Sequence, residues 1–175
     1  MVTQPQMQVK SGAVDGCGVR IIAIPTAGAP TKKGFAVDAS FNIYADGVGM
    51  VKAGVIKTLN GNPTGETQPI SNFWLKANGA KATAPNAVGV LKSPTPKGYL
   101  FYATELSTIN KLFSALLEQE PVLLSIRRTD EDMDRTFAGT AVLSDTDRAQ
   151  VMNCLNDLAA EIRGSALSEP APPKN

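Results

Sequence analysis

The feature that most constrains the fold is a strictly alternating segment at residues 35–44, FAVDASFNIY, followed closely by Asp46-Gly47. Apolar side chains occupy every second position, which is the period of a strand with one face in the core. Asp-Gly after such a strand indicates a hairpin. We predict a three-residue loop that places Val51 opposite Ile43, because a slip by one residue would put a lysine on the core face. The chain is therefore expected to build an antiparallel sheet from hairpins.

Further strands are predicted at residues 19–24, 70–76, 98–103, 122–128 and 136–143, and loops at residues 60–69 and 77–97. Apolar residues at helical spacing predict a first helix around 109–117, with Thr104 or Ser107 as its N-cap. A second helix is predicted from Ser144 to Gly164, with a buried stripe that reaches Ile162. The expected fold is α+β: an antiparallel, hairpin-built sheet or sandwich with two helices in the C-terminal half packed on one face.

The domain organisation follows from length and local composition. A chain of 175 residues suits one domain with a hydrophobic core. We predict a flexible N-terminal arm at residues 1–16, a single α+β domain at 17–164 and a disordered Pro-rich tail at 165–175.

The two cysteines, Cys17 and Cys154, lie near opposite ends of the chain. One disulfide in an oxidising compartment is the preferred interpretation, because glycines flank Cys17 and a loop of this length would stabilise the fold by ~4–5 kcal/mol in the entropic account. The alternative is a pair of buried thiols in a cytosolic protein.

Charge and hydropathy exclude some partners. The formal net charge is +1 and the basic residues are scattered, which argues against nucleic acid as a partner. No segment reaches the ~18–20 apolar residues of a membrane span. The first ten residues, MVTQPQMQVK, lack the features of a signal peptide, so export would require a leader removed from the mature chain.

Histidine is absent from the chain. This removes the commonest general base and the histidine ligands of zinc sites, and two cysteines cannot complete a structural zinc site. We therefore expect no catalytic residues and no cofactor, with a histidine-free hydrolase as a less favoured alternative.

The acidic segment RRTDEDMDRTF poses the question of a metal site. Asp130, Asp132 and Asp134 match the opening of a calcium loop. The sixth position is Arg135 instead of glycine, and the twelfth is Ala141 instead of glutamate. We interpret the segment as a hairpin turn whose carboxylates are offset by arginines, with calcium binding as the alternative.

Phe73 and Trp74 are neighbours on one predicted strand and face opposite sides of it. Either both sides of the sheet are covered, or one aromatic residue is exposed and available to a partner. The preceding loop contributes Asn62, Thr64 and Glu66 to the same candidate partner-binding surface.

Two stretches resemble the C-terminal part of a known family: LSTINKLFSALLEQEPVLLSIRR and FAGTAVLSDTDRAQVMNCL. They are similar to the invasion-associated locus B family of small bacterial envelope proteins. The resemblance implies a secreted or periplasmic binding protein without catalytic residues.

Together these observations predict a non-enzymatic, extracytoplasmic bacterial domain, periplasmic or secreted, that binds a protein partner or an envelope component. The alternative is a cytosolic accessory or inhibitor-type protein with reduced cysteines.

Overall fold

The computed structural model describes residues 1–24, 33–85, 90–92 and 98–168. The strands within these residues are β1 Val2–Lys10, β2 Ala13–Ala23, β3 Lys33–Tyr44, β4 Gly49–Leu59, β5 Asn62–Gln68, β6 Ile70–Ala77, β7 Val90–Lys92, β8 Tyr99–Thr104, β9 Pro121–Arg128 and β10 Arg135–Thr140. The helices are α1 Leu106–Leu117 and α2 Asp145–Ser168.

The strands form two antiparallel sheets. The large sheet has the order β1-β2-β3-β4-β8-β7, with β5 also paired to β4, and the small sheet has the order β10-β9-β6. Helix α1 contacts β3 and β4 of the large sheet and β6 and β9 of the small sheet, whereas α2 packs on β1 and β2. The small sheet and both helices cover the same face of the large sheet, which confirms the predicted α+β class.

Contacts between these layers define the core. The Phe41 ring of β3 meets the Phe113 ring of α1 edge-on at 4.9 Å between centroids. Phe73 of β6 packs against Tyr102 of β8 at 4.8 Å. Because Phe41 and Tyr102 both project from one face of the large sheet, the core lies between the two sheets and α1.

The β3–β4 hairpin confirms the alternation and corrects its register. The odd-numbered residues of β3 from Val37 to Ile43 are buried, as predicted. The loop has three residues, closed by a hydrogen bond from the Tyr44 amide to the Val48 carbonyl at 3.0 Å. Phe41 pairs with Val51, so the pairing is two residues away from the predicted one. The loop is centred on Asp46, so that Gly47 occupies its last position, where φ is positive. Because the observed pairing differs from the predicted one by two residues, the same side chains still face the core.

The N-terminal arm is a correction. Residues 2–10 form β1, which pairs with β2 along its length through a tight turn at Ser11-Gly12. Both turn residues have positive φ, 53° and 85°, as a two-residue hairpin requires. The sequence gives no clear strand signal here, because glutamines occupy alternate positions and neither side of β1 is strongly apolar. Pro5 fits an edge strand, where a missing N–H is tolerated.

The predicted loop at residues 60–69 is also wrong. Residues 62–68 form β5, which pairs with β4. Asn60-Gly61 makes the turn, with φ of 52° and 80°, and Asn-Gly is the strongest short signal for such a hairpin. In the predicted loop at 77–97, residues 90–92 form β7 beside β8, while 86–89 and 93–97 lie outside the described residues.

The helices follow the predicted pattern with different ends. Ser144 caps α2, since its Oγ accepts a hydrogen bond from the Asp147 amide at 3.1 Å. Helix α2 continues past Gly164 to residue 168, and Ile162 is exposed, so the buried stripe ends at Leu158. The cap of α1 is Glu105, without a side-chain hydrogen bond. Of the predicted tail, residues 165–168 are helical and 169–175 lie outside the described residues.

The cysteine prediction is confirmed. Cys17 of β2 and Cys154 of α2 are disulfide-bonded across 137 positions of sequence. The bond fixes α2 to the inner face of the large sheet. Neither helix in the described ranges is long and apolar enough to cross a membrane.

Candidate functional site

Phe73 and Trp74, the predicted aromatic pair, lie on opposite faces of the small sheet. Phe73 is 2% exposed and belongs to the core, so it is not available to a partner. Trp74 lies half-buried on the outer face of the small sheet, where its Nε1 donates a hydrogen bond to Asp134 Oδ2 at 3.1 Å. Of the two side chains, only that of Trp74 is partly exposed and could contact a partner.

The other candidate partner-binding residues lie elsewhere. Asn62, Thr64 and Glu66 are exposed on β5, an added strand of the large sheet. The Glu66 carboxylate accepts a hydrogen bond from Lys57 Nζ at 2.8 Å, which lowers the pKa of Glu66. Because Trp74 belongs to the small sheet, the residues of the predicted partner-binding surface are divided between the two sheets.

The acidic segment is a turn stabilised by arginines. Asp134 pairs with Arg127 at 2.8 Å. Glu131 pairs with Arg135 and with Arg128, the latter at 2.9 Å. Burial raises the pKa of Asp134, but hydrogen bonds from Trp74 and Arg127 outweigh it and the pKa is lowered.

These carboxylates pair with arginines, and Asp130 and Glu131 share Arg128. Asp130 also pairs with Arg128, at 3.2 Å. Across the ranges that the structure describes, no group of three or more carboxylate, cysteine or histidine side chains could hold a metal ion. The segment forms the hairpin turn between β9 and β10, in which Asp134 pairs with Arg127 and Asp130 with Arg128. Calcium binding by Asp130, Asp132 and Asp134 stays the alternative hypothesis.

A different surface concentrates the ordered polar groups. We use the name polar sheet face for the outer face of the large sheet, opposite the core. Its side chains come from five neighbouring strands, β1, β2, β3, β4 and β8. They are Gln6, Gln8, Arg20, Asp38, Ser40, Asn42, Tyr44, Met50, Lys52, Tyr99 and Phe101.

An arginine–carboxylate–tyrosine cluster organises one end of the polar sheet face. Arg20 Nε and Nη2 donate to the two oxygens of Asp38 at 2.7 and 2.9 Å, a bidentate pair. Tyr99 Oη donates to Asp38 Oδ2 at 2.8 Å. Burial and the nearby Asp38 raise the pKa of Tyr99, so its phenol stays protonated. Asp38 is thus held by donors from β2 and β8.

Two glycines let side chains lie flat on this face. A Cβ at Gly54 would stand 2.6 Å from the Tyr99 ring, and one at Gly18 would stand 2.0 Å from Asn42 Oδ1. Only a residue without a side chain fits beneath either group. Lys52 Nζ lies over the Tyr99 ring, 4.6 Å from its centroid, a cation–π contact.

Two adjoining depressions open on the polar sheet face. The smaller has a volume of ≈ 200 Å³ and contains the Arg20, Asp38 and Tyr99 cluster. The larger, of ≈ 340 Å³, is bordered by Tyr44 and Phe101. Both are lined by Gln6, Ser40 and Lys52, so the two depressions form one continuous surface.

Asn42 lines the larger depression, but the oxygen of its side-chain amide is buried. Asn42 is 7% exposed, and its Oδ1 is buried without a donor from the described chain. This oxygen lies over Gly18, where an added Cβ would stand 2.0 Å from it, so it faces the sheet and not the depression. Gln8 Nε2 donates to Tyr44 Oη at 2.8 Å and fixes that ring at the rim.

The side chains of the polar sheet face are mainly hydrogen-bonding and aromatic groups. Asp38 is the one carboxylate among the residues of the polar sheet face, and Arg20 and Tyr99 already engage it. Acid–base catalysis by carboxylates needs two groups in unlike environments. The surface instead offers amides, a hydroxyl, a cation and aromatic rings.

Sequence reasoning found the alternation that builds this face but not the face itself. The even-numbered residues of β3 were identified as its polar side, whereas the partners from β1 and β8 come from distant parts of the chain.

No protein-family model matches the chain, and neither a curated protein nor a solved structure is similar to it. The resemblance to the invasion-associated locus B family stays a prediction.

Proposed function

We propose that this chain is a non-enzymatic binding domain that works outside the bacterial cytoplasm and binds an envelope component through its polar sheet face. The observation that carries the proposal is the ordered arrangement of hydrogen-bonding groups on an open sheet face. Their geometry is set before any ligand arrives, by the Arg20 and Asp38 pair and by Tyr99. Preorganised groups lose little conformational entropy on binding, which favours affinity.

The disulfide supports the extracytoplasmic part of the proposal. Disulfides persist in oxidising compartments and are rare in the cytosol. Cys17 is 1% exposed and Cys154 5% exposed, so the bond is shielded from reductants. The alternative, a cytosolic accessory protein, requires two free thiols in the native chain, and a thiol count on denatured native protein without reductant discriminates between the two.

Binding to the envelope can be tested by co-sedimentation. The intact, oxidised chain is mixed with washed bacterial envelope, and the pelleted fraction is measured. Met50→Glu replaces an apolar thioether with a carboxylate in the larger depression, beside Lys52. Met133→Glu makes the same change at a side chain that is 79% exposed in the turn of the small sheet, and serves as the matched control.

We expect the wild type and Met133→Glu to pellet alike, and Met50→Glu to pellet severalfold less. Circular dichroism and thermal unfolding establish that both variants are folded. If all three proteins pellet equally, the polar sheet face is not the binding surface. If none pellets above a bovine albumin control, binding to the envelope itself is wrong.

A further inference from the structure

We infer that the polar sheet face binds an oligosaccharide that carries a carboxylate, with Lys52 as the contact for the charge. This rests on the proposed function and names the ligand class of the same site. It follows from three properties of the surface: its hydrogen-bonding groups, its aromatic borders and its charge.

The hydrogen-bonding groups match hydroxyls. A sugar hydroxyl is at once donor and acceptor, so it is best recognised by planar side chains that offer both functions side by side. Gln6 and Gln8 bring amides from β1, and Asn42 brings one from β3. Ser40 adds a hydroxyl at the centre, where the two depressions meet.

The aromatic borders match the apolar faces of sugar rings. Tyr44 and Phe101 are both half-buried and line the larger depression, with Met50 between them in the same depression. The C–H groups of a pyranose ring pack on such surfaces, as aromatic side chains bury large apolar areas at low entropic cost. Tyr99 is less available for this role, because its ring lies against Gly54 and already contacts the Lys52 ammonium.

The charge balance selects an acidic ligand. On the polar sheet face, Arg20 and Asp38 neutralise each other as a pair at 2.7 Å. Lys52 is the remaining charged residue among those that line the depressions, and its Nζ lies over the Tyr99 ring instead of beside a carboxylate. One ammonium group, half-buried and without a counterion on this face, is complementary to one carboxylate of the ligand.

The size and position of the surface argue against a protein or peptide. Five strands about 4.8 Å apart and seven residues along β3 define roughly 400 Å², half the ~800 Å² that a partner buries in a standard interface. A peptide that adds to a sheet needs the free backbone groups of an edge strand. The centre of the polar sheet face lies on β3 and β4, whose backbones are paired on both sides.

The test uses oligogalacturonate and oligomannuronate, which differ in hydroxyl stereochemistry, and their methyl esters, which keep the rings and remove the charge. Each is titrated into the isotopically labelled, oxidised chain, and amide chemical shifts give both the dissociation constant and the location. We expect at least one acidic probe to bind about tenfold more tightly than its ester, a difference of ~1.4 kcal/mol. The shifts should centre on β3, β4 and β8.

Lys52→Gln removes the ammonium, and Lys57→Gln makes the same charge change on the same strand at an exposed lysine paired with Glu66. We expect Lys52→Gln to lower the affinity for the acid to that for the ester, while Lys57→Gln has no effect. Phe101→Ala should weaken the acid and the ester alike, because it removes apolar packing and no charge.

Several outcomes would overturn the inference. Equal affinity for acid and ester would exclude the carboxylate, and shifts centred away from the polar sheet face would exclude the site. If no probe binds while envelope co-sedimentation is still lost in Met50→Glu, the ligand class is wrong and the proposed function stands. If neither assay shows binding, both fail.

Discussion

At Gly54 a single hydrogen atom occupies the place of a side chain, and this allows the Tyr99 ring to lie against the large sheet. The ring position in turn brings Tyr99 Oη within 2.8 Å of Asp38, two strands away. Individual residues on this face therefore act through one another. Their contributions to the free energy of unfolding should be strongly coupled.

We predict that Gly54→Ala lowers the free energy of unfolding by ~1–3 kcal/mol, because the new Cβ would stand 2.6 Å from the Tyr99 ring and displace it. In a Tyr99→Ala background the same change should cost much less, since the clash is gone. Urea unfolding of the four proteins in a double-mutant cycle measures the coupling. Equal costs in both backgrounds would show that the ring does not rest on Gly54.

A second residue-scale prediction concerns alkaline pH. Tyr102 Oη donates to the Phe73 carbonyl at 2.9 Å inside the core. Burial raises the pKa of Tyr102 from 10.0 to about 12. As pH rises, Tyr102 therefore loses its proton in the unfolded chain before it does so in the folded chain. Its contribution to the free energy of unfolding is fully present below pH 10.0 and declines as pH rises to about 12.

Tyr102→Phe should be less stable at neutral pH by about 1–3 kcal/mol, because it leaves the Phe73 carbonyl without this donor. It should also lose less stability than the wild type between pH 10.0 and about 12. Urea unfolding across this range measures both effects. The alkaline contribution of Tyr102 would be refuted by parallel pH profiles for the two proteins.

At the scale of elements, local signals placed strands and helices well where one face is clearly apolar. They failed for β1 and β5, because both are polar on both sides and owe their pairing to neighbours. β1 pairs with β2 and β5 pairs with β4 through tight turns whose residues have positive φ. The Asn60-Gly61 signal was present, but polar composition outweighed it in the prediction.

The start of α2 gives the prediction at this scale. Ser144 Oγ accepts a hydrogen bond from the Asp147 amide at 3.1 Å, and α1 has no equivalent side-chain cap. Ser144→Ala should lower the free energy of unfolding by ~1 kcal/mol. Ser107→Ala, in the first turn of α1, is the control and should have little effect. Equal losses in urea unfolding would contradict the capping role.

At the scale of the whole molecule, one covalent bond ties the first hairpin to the last helix. The disulfide closes a loop with a sequence separation of 137 residues. Long loops have the most conformational entropy to lose in the unfolded state, so the cross-link destabilises that state strongly. The bond also holds α2 over the inner face of β2.

We expect Cys17→Ala with Cys154→Ala to lower the free energy of unfolding by ~2–5 kcal/mol. Reductant should destabilise the wild type by a similar amount and leave the double variant unchanged, which controls for other effects of the reagent. Urea unfolding with and without reductant provides the measurement. A wild type that is as stable reduced as oxidised would show that the bond contributes nothing to folding stability.

The sequence alone determined the α+β class, the inward residues of β3, the cap of α2 and the cysteine pair, because each depends on a periodicity, a local hydrogen bond or a count. Tertiary structure decided the pairing of β1 and β5, the burial of Phe73 and the assembly of the polar sheet face. Arg20, Asp38 and Tyr99 come from three strands and meet only when the large sheet forms. Local patterns carry no information about which distant strands become neighbours, and the candidate site is made by those neighbours.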